Sequence, residues 1–219
     1  MPVAAQTALH PSSEALVEAP VQSVEYAVQM VTPAGPQDIG NLTRTQAIVD
    51  GHLVMTSHMV VPMGGVNEKD STVVAWPSLA PMYGSMSSAS ESKELLFSDG
   101  RATGTAVNGG ETTDIDVEVA PTDFGPGIAY RIAQSIPFEE GYVATFSQIE
   151  GDGSSAEMQL TVTGSETLAH KGQERAVWVV QEVVSGQSRF TYRVDAETRE
   201  MLQMEIAPQP GVLIHVTAQ

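Results

Sequence analysis

Apolar and polar residues alternate along most of this chain, and short glycine-containing sequences interrupt the alternation. Residues 24–30 place Val, Tyr, Val and Met at every second position. Residues 114–119 alternate carboxylates with aliphatic side chains without exception. A period of two is the spacing of side chains on one face of a β-strand. The sequence therefore predicts strands that have one buried and one exposed face.

The predicted strands follow one another through turns that are too short for crossover connections. We predict strands at residues 24–30, 43–49, 53–61, 71–76, 94–98, 101–107, 113–119, 142–149, 157–163, 174–184, 188–194, 201–206 and 212–217. Asp50–Gly51 is a strong hairpin signal because Gly tolerates the positive φ of tight turns, and Asp99–Gly100 is a second such turn. Short turns favour an antiparallel meander. No repeat of fixed period is present, which disfavours a propeller or solenoid.

One helix is predicted, at about residues 127–135, where Ile128, Ile132 and Ile136 recur every fourth residue between two prolines. A sheet of about a dozen strands has to curl, split or close to hide its apolar face. We therefore predict an all-β fold, an antiparallel meander that forms a strongly curved half-barrel or incomplete barrel. The short helix is expected to pack over the sheet.

The chain divides into two parts by composition. Residues 1–20 are rich in Pro, Ser and Ala and predict an extended lead-in, whereas residues 21–219 predict a single β domain. Met1–Gln6 resembles an initiator Met placed near the small-residue end of a secretory signal. We therefore expect a periplasmic or secreted protein; the alternative is the flexible N-terminus of a cytosolic one.

The charge balance excludes several classes of partner. Lys and Arg number 10 and Asp and Glu number 27, so the formal net charge is −17. Such a surface cannot neutralise phosphates, which argues against nucleic acid or an anionic membrane as a partner. No apolar run approaches the roughly 18 residues of a membrane span. The scarcity of lysine among so many carboxylates also suggests the hypothesis of adaptation to high salt.

Metal and thiol chemistry have little support in the sequence. The chain has no Cys, which excludes disulfides and a Cys nucleophile. Five of the ten Met residues lie between Met55 and Met86, near His52 and His58, and thioethers with imidazoles could bind Cu(I). Strand geometry, however, places Met55 and Met59 on one face and His58 on the other. Core packing or an apolar ligand surface explains the Met residues as well, and we predict no metal site and no cofactor.

The aromatic residues suggest a ligand surface. Trp178, Phe190 and Tyr192 share their apolar phase with Met204, so one concave face of the sheet would carry them. This face is either a filled core or an open pocket, depending on whether the helix occupies it. The candidate ligand-binding residues are Met55, Trp76, Trp178, Phe190, Tyr192 and Met204.

Four runs in the C-terminal half carry a family resemblance: Ile136–Phe146, Val162–Thr167, Arg175–Val180 and Thr191–Arg199. Through them, residues 94–219 resemble uncharacterised secreted bacterial β-proteins. Those proteins are similar in turn to the outer-membrane lipoprotein carriers LolA and LolB, whose half-barrel holds acyl chains under a helical lid. The resemblance implies a lipid-binding role and brings no catalytic residues, and it leaves a single helix as the lid.

The leading hypothesis is a non-enzymatic cell-envelope binding protein that takes a lipid or another apolar small molecule on its concave face. One alternative is a secreted hydrolase with Asp50, His52 and His58 at its site. Another is a structural component of the envelope. The sequence assigns no oligomeric state.

Overall fold

The computed structural model describes residues 6–14, 16–209 and 211–219, which form one large sheet around a short helix. The strands are β1 (Gln6–Ala8), β2 (Ser23–Thr32), β3 (Gly35–Val49), β4 (His52–Val61), β5 (Val66–Ala75), β6 (Pro81–Ser87), β7 (Glu91–Ser98), β8 (Arg101–Asn108), β9 (Glu111–Glu118), β10 (Asp123–Phe124), β11 (Val143–Ile149), β12 (Ser155–His170), β13 (Gln173–Val184), β14 (Gln187–Asp195), β15 (Met201–Gln209) and β16 (Val212–Ala218). The α-helix is α1 (Ala129–Ser135), and a 3₁₀ turn covers Pro62–Gly64. The all-β prediction is confirmed.

The sheet consists of two antiparallel meanders joined side by side. Strands β2 to β9 form one meander, strands β11 to β16 form the other, and β16 pairs with β2 to join them. Two short strands, β1 and β10, pair in parallel with the remaining edge of β11. The sheet is therefore mixed rather than wholly antiparallel, because these two segments reach β11 through long connections instead of hairpins.

The predicted hairpin turns at Asp50–Gly51 and Asp99–Gly100 form as expected, but three strands, β1, β6 and β10, were not predicted. Asp50 and Gly51 have φ values of 50° and 77°, which match the positive φ that a two-residue hairpin turn requires at both positions. Strand β6 was not predicted because it begins with Pro81 and contains Gly84, and both residue types are depleted in strands. Strand β12 continues beyond its predicted end at residue 163, through a β-bulge before Gly164.

The helix fills one part of the concave face. Ile128, Ile132 and Ile136, the residues that predicted it, are all fully buried. They belong to a core that also contains Phe124 and Phe146, whose rings meet edge to face at 5.4 Å. Burial of three large aliphatic side chains contributes several kcal/mol, about 1.5–3 kcal/mol each. Packing, rather than helix propensity, therefore stabilises this short helix.

The turn between β14 and β15 anchors the C-terminal end of α1. Asp195 Oδ1 accepts hydrogen bonds from the backbone N–H and the hydroxyl of Thr198, at 2.7 and 2.9 Å. This turn presents Arg199, whose Nη1 donates to the carbonyl oxygens of Gln134 and Ile136 at 2.8 and 3.0 Å. The last carbonyls of a helix have no partner within the helix, and Arg199 supplies the donors.

The two ends of the sheet approach each other without pairing directly. Ile149 at the end of β11 packs in a small cluster with Leu95, Ala102 and Ile115 of strands β7 to β9. A Cβ atom at Gly153, in the turn after β11, would lie only 2.6 Å from Cγ2 of Ile115. The barrel is thus incomplete in its hydrogen bonds, and side chains occupy the remaining seam.

The described part of the lead-in lies on the barrel. Strand β1 extends the sheet, Leu9 is buried beyond it, and Pro20 accepts a hydrogen bond at 2.8 Å from Nη1 of Arg131 on α1. The prediction for Met1–Gln6 falls largely outside the described residues. Among the residues described, no helix combines the length and apolar character needed to cross a membrane.

Candidate functional site

The register of five neighbouring strands aligns a row of side chains across the concave face. Successive cross-strand partners from β3 to β7 are Arg44, Ser57, Asp70, Met86 and Lys93. Side chains of directly paired residues project from the same face of a sheet. Within the row, the hydroxyl of Ser57 donates a hydrogen bond to Asp70. This row forms a polar floor beside the apolar core.

The segment that leads into α1 forms a roof over this floor. Thr72 Oγ1 donates to the carbonyl oxygen of Pro126 at 2.8 Å. A Cβ atom at Gly84 would lie 2.4 Å from Cγ of Pro126, so this close approach requires glycine in β6. Gly127 follows with φ of 72° and turns the chain into α1.

Two adjoining cavities lie between the floor and the roof, and we call them together the cleft. Their volumes are about 310 and 250 Å³, close to the lower end of the 300–1,000 Å³ typical of small-molecule sites. Both are lined by Arg44, Glu68, Asp70, Tyr130, Glu150 and Arg189. The first contacts all five residues of the row, and the second contacts Arg44, Ser57 and Asp70. The second borders an apolar surface made by Leu42, Met59, Phe190, Met204, Ile206 and Val216.

Arg44 enters the cleft from β3. It lies in the same phase as the buried residues Leu42 and Gln46, so it belongs to the concave face. Its guanidinium is 4.2 Å from the ring centroid of Tyr130, and Nη1 is 3.2 Å from Sδ of Met204. Within the described residues, Arg44 forms no ion pair. Its charge therefore faces the cavity space.

Arg189 reaches the cleft through a β-bulge. Glu182 pairs with Phe190 and Val183 pairs with Ser188, which leaves Arg189 between them without a partner in the ladder. Such a bulge redirects a side chain from its expected face. The Arg189 guanidinium lies 5.3 Å from the Phe190 ring centroid, and no ion pair joins it to a carboxylate in the described part of the chain.

Several acidic groups near the cleft have perturbed ionisation. Burial raises the pKa of Glu182, which accepts a hydrogen bond from the Tyr192 hydroxyl. Burial also raises the pKa of Glu68, and the neighbouring charge of Asp70 raises it further. The pKa of Tyr130 is raised by burial to about 12. The cleft therefore resists additional negative charge near these groups.

Gln148, one of the residues that line the second cavity, carries a buried acceptor that is unsatisfied. Its side chain is 3% exposed, and Nε2 donates to Oε1 of Glu150 at 3.0 Å. An ionised carboxylate only accepts hydrogen bonds, so this contact fixes the orientation of the amide. Oε1 of Gln148 is then buried with no partner among the described residues. Such an atom costs free energy until a donor reaches it.

The structure brings four of the six candidate ligand-binding residues to the cleft. Met55 lines the first cavity, whereas Phe190, Tyr192 and Met204 line the second. Trp76 and Trp178 are partly buried and pack against the core outside the cleft. The Trp76 ring is 5.4 Å from the guanidinium of Arg131, and the Trp178 ring stacks on Phe138 at 6.0 Å.

The residues of the alternative hydrolase site are not brought together. His52 and His58 lie on the outer side of β4, in the phase opposite to the buried residues Leu53 and Met55. Six residues of strand separate them by about 20 Å. Asp50 lies in the hairpin turn. Among the described residues, no group of three His, Asp or Glu side chains is arranged to hold a metal ion.

The charged residues of the cleft are not among the site residues predicted from the sequence. The phase of Arg44 on β3 could have identified it as inward-facing. Glu68 and Asp70 have the same phase as the buried residue Thr72 on β5. Arg189 had no such signal, because its direction depends on the bulge against β13.

Comparison with known proteins places the chain in a family. A family described as "Protein of unknown function (DUF3108)" matches residues 22–214. The chain belongs to the DUF3108 family. No curated protein sequence matches this DUF3108 chain.

Two solved structures resemble this DUF3108 protein. The crystal structure of a β-barrel-like protein of domain of unknown function DUF1849 from Brucella abortus has a TM-score of 0.61 and 8% identity, covering 93% of this chain and 97% of that one. The crystal structure of the hypothetical lipoprotein YmcC from Escherichia coli has a TM-score of 0.33 and 12% identity, covering 93% and 89%. The first likeness shows a shared fold.

Proposed function

We propose that this DUF3108 protein is a non-enzymatic cell-envelope binding protein that takes a lipid or another apolar ligand in the cleft. The observation that carries the proposal is the pair of adjoining cavities, of about 310 and 250 Å³, between α1 and the concave face. Sites for small molecules are concave, largely apolar and supplied with a few fixed polar groups. The helix covers part of the face and leaves this space beside its N-terminal end.

The apolar side of the cleft suits a hydrocarbon group. Met59 and Met204 lie beside Leu42 and Ile206 in the second cavity. Methionine side chains are unbranched and polarizable, so they adapt to ligands of variable shape. We include in this proposal the lipid-binding role that the resemblance to LolA and LolB implies.

A binding role fits the polar groups better than hydrolysis does. Ser57 donates to Asp70 within the cleft, but the residues of the hydrolase alternative, His52 and His58, lie on the opposite face of β4. A serine nucleophile needs an adjacent general base, for which histidine is the commonest choice.

Native mass spectrometry of the purified protein tests the proposal. We expect an additional mass that denaturation releases and that lipid extraction identifies as an acyl-chain compound. The variant Ile206→Trp fills the apolar side of the cleft and should lose this mass while it keeps the circular dichroism spectrum. Ile48→Trp is the matched control because Ile48 is 46% exposed, outside the cleft.

Two results would count against binding in the cleft. One is equal retention of the bound mass by the Ile206→Trp variant and its control. The other is a protein that carries no bound mass and also fails to bind added amphiphiles.

Location in the cell envelope is a separate part of the proposal, and fractionation of the source cells tests it. Recovery of the protein in the cytosolic fraction alone would refute this location.

A further inference from the structure

We propose that the ligand of the cleft is a zwitterionic amphiphile, an inference that rests on the proposed function. Its anionic group would lie at Arg44 and Arg189, and its ammonium group at Glu150, Glu68 and Gln148. Its hydrocarbon chain would occupy the apolar side of the second cavity. The three parts of this arrangement have separate structural support.

The two arginines form the anionic subsite. Arg44 and Arg189 line both cavities and come from different meanders, on β3 and β14. The chain has a net charge of −17, so the half-buried Arg44 and the exposed Arg189 would be expected to find carboxylate partners. Neither arginine forms an ion pair among the described residues. Guanidinium groups suit planar or tetrahedral oxyanions because they donate two parallel hydrogen bonds. The cleft therefore offers donors for a phosphate or carboxylate.

The acceptors form the cationic subsite. Gln148 Oε1 is buried and unpartnered, and the amide holds Oε1 of Glu150 beside it at 3.0 Å from Nε2. Glu68 lines the same cavity and forms no ion pair within the described residues. These groups accept hydrogen bonds, so a ligand that brings donors would suit this side of the cleft. An ammonium group supplies three.

The mixture of charges selects against ligands of a single sign. A purely anionic head group at the arginines would also face Glu68, Asp70, Glu150 and Glu182, which line the second cavity. A purely cationic head group would face both arginines instead. Specificity of this kind comes from unfavourable contacts with the wrong partner as much as from favourable ones. A head group that carries both charges satisfies both sets.

The volume limits the size of the buried part. A space of about 250 Å³ beside Leu42, Met204 and Val216 is below the usual range for a whole drug-sized ligand. It suits a head group together with the first part of one chain. A longer chain would continue through the opening of the cavity, so short single-chain probes are appropriate.

Isothermal titration calorimetry with a set of amphiphiles that each carry one eight-carbon chain tests the inference. The probes are octanoyl lysophosphatidylethanolamine, octyl phosphate, octyltrimethylammonium and octyl glucoside, each below its micelle concentration. The variants are Arg189→Gln and Glu150→Gln. Arg101→Gln is the matched control because Arg101 is exposed, lies outside the cleft and pairs with Asp116 at 2.6 Å.

We expect the zwitterion to bind most tightly to the unmodified protein. Arg189→Gln should weaken its binding about tenfold or more, the effect of losing a charge-assisted hydrogen bond, and should leave octyl glucoside unchanged. Glu150→Gln should weaken the binding of the zwitterion and strengthen the binding of octyl phosphate. Arg101→Gln should change neither.

The possible failures are distinguishable. Equal affinity for all four probes, or equal effects of Arg189→Gln and Arg101→Gln, would overturn the zwitterion inference and leave the proposed function standing. Tightest binding of octyl phosphate would overturn the cationic subsite. Absence of binding by every probe, in a folded protein that carries no co-purified ligand, would overturn the proposed function itself.

Discussion

Replacing Arg199 should loosen the attachment of α1 to the barrel, because one side chain supplies the donors for two carbonyls at the end of the helix. Its Nη1 donates to Gln134 and Ile136, and its guanidinium stacks 4.1 Å from the Phe138 ring centroid. The variant Arg199→Met keeps the length and the apolar contacts of the side chain but removes every donor. It leaves two backbone carbonyls near the core without this partner.

The expected loss follows from these contacts. Hydrogen bonds to charged groups contribute about 1.5–3 kcal/mol each, and partial access of water reduces the sum, so we expect a loss of about 3 kcal/mol. For a chain of this size, 1 kcal/mol corresponds to about 2–4 °C in Tm, so Tm should fall by about 6–12 °C. Thermal denaturation followed by circular dichroism measures it.

A control separates this effect from the loss of a positive charge. Arg101→Met removes an arginine that is 45% exposed in its ion pair with Asp116, and such surface pairs contribute at most about 1 kcal/mol. We also expect Arg199→Lys to recover only part of the stability, because the ammonium group cannot reproduce the stacked planar contact. Equal Tm values for Arg199→Met and Arg101→Met would refute the anchoring role of Arg199.

Three further predictions concern the core and the cleft. Burial raises the pKa of Glu182, so the native state holds the proton of this carboxyl more tightly than the unfolded state does. The stability of the protein should therefore fall as pH rises above the ordinary pKa near 4.5. Glu182→Gln should remove this loss, and parallel pH profiles of Tm for the two proteins would contradict the prediction. Gly84→Ala should destabilise the protein by about 1–3 kcal/mol through its clash with Pro126, measured by urea denaturation, whereas Gly64→Ala meets only ordinary contacts and should change little. Ile132→Ala should cost about 2–5 kcal/mol in the same assay because the side chain is fully buried, and a loss below 1 kcal/mol would mean that α1 is not packed as described.

The sequence predicted the strands well because one physical signal, burial of alternate side chains, determines them locally. Residues 114–119 show it clearly: Ile115 is buried, while Asp114, Asp116 and Glu118 are exposed. Strand β6 lacks the signal, since pairing with β5 and β7 places it in the sheet despite its Pro and Gly. Long-range pairing of this kind leaves no trace in a short window of sequence.

The cleft was harder to predict than the fold. Periodicity indicates which face a residue occupies but not its position along the strand, so Trp178 and Tyr192 appeared equivalent although only Tyr192 lines the cleft. Arg189 acquires its direction from a bulge in its pairing with β13. Gln148 becomes an unsatisfied acceptor only because Glu150 occupies its amide nitrogen. Each feature depends on partners that the sequence does not place.

The seam between β9 and β11 makes the barrel mechanically uneven. Widening the barrel between any two neighbouring strands of the meanders breaks a ladder of backbone hydrogen bonds. This also holds at the junction between β16 and β2. Strand β10, which follows β9 closely in the chain, pairs with β11 at one end of the seam. Along the rest of the seam, the contacts in the described part of the chain are made by side chains such as Ile149 and Ile115 and by the turn at Gly153. Separating apolar contacts of this size takes far less free energy than breaking a ladder of hydrogen bonds, and the contacts re-form without any change of register. We therefore expect the circumference to adjust most easily along this line, and Glu150, which helps to line the cleft, follows the end of β11 beside it.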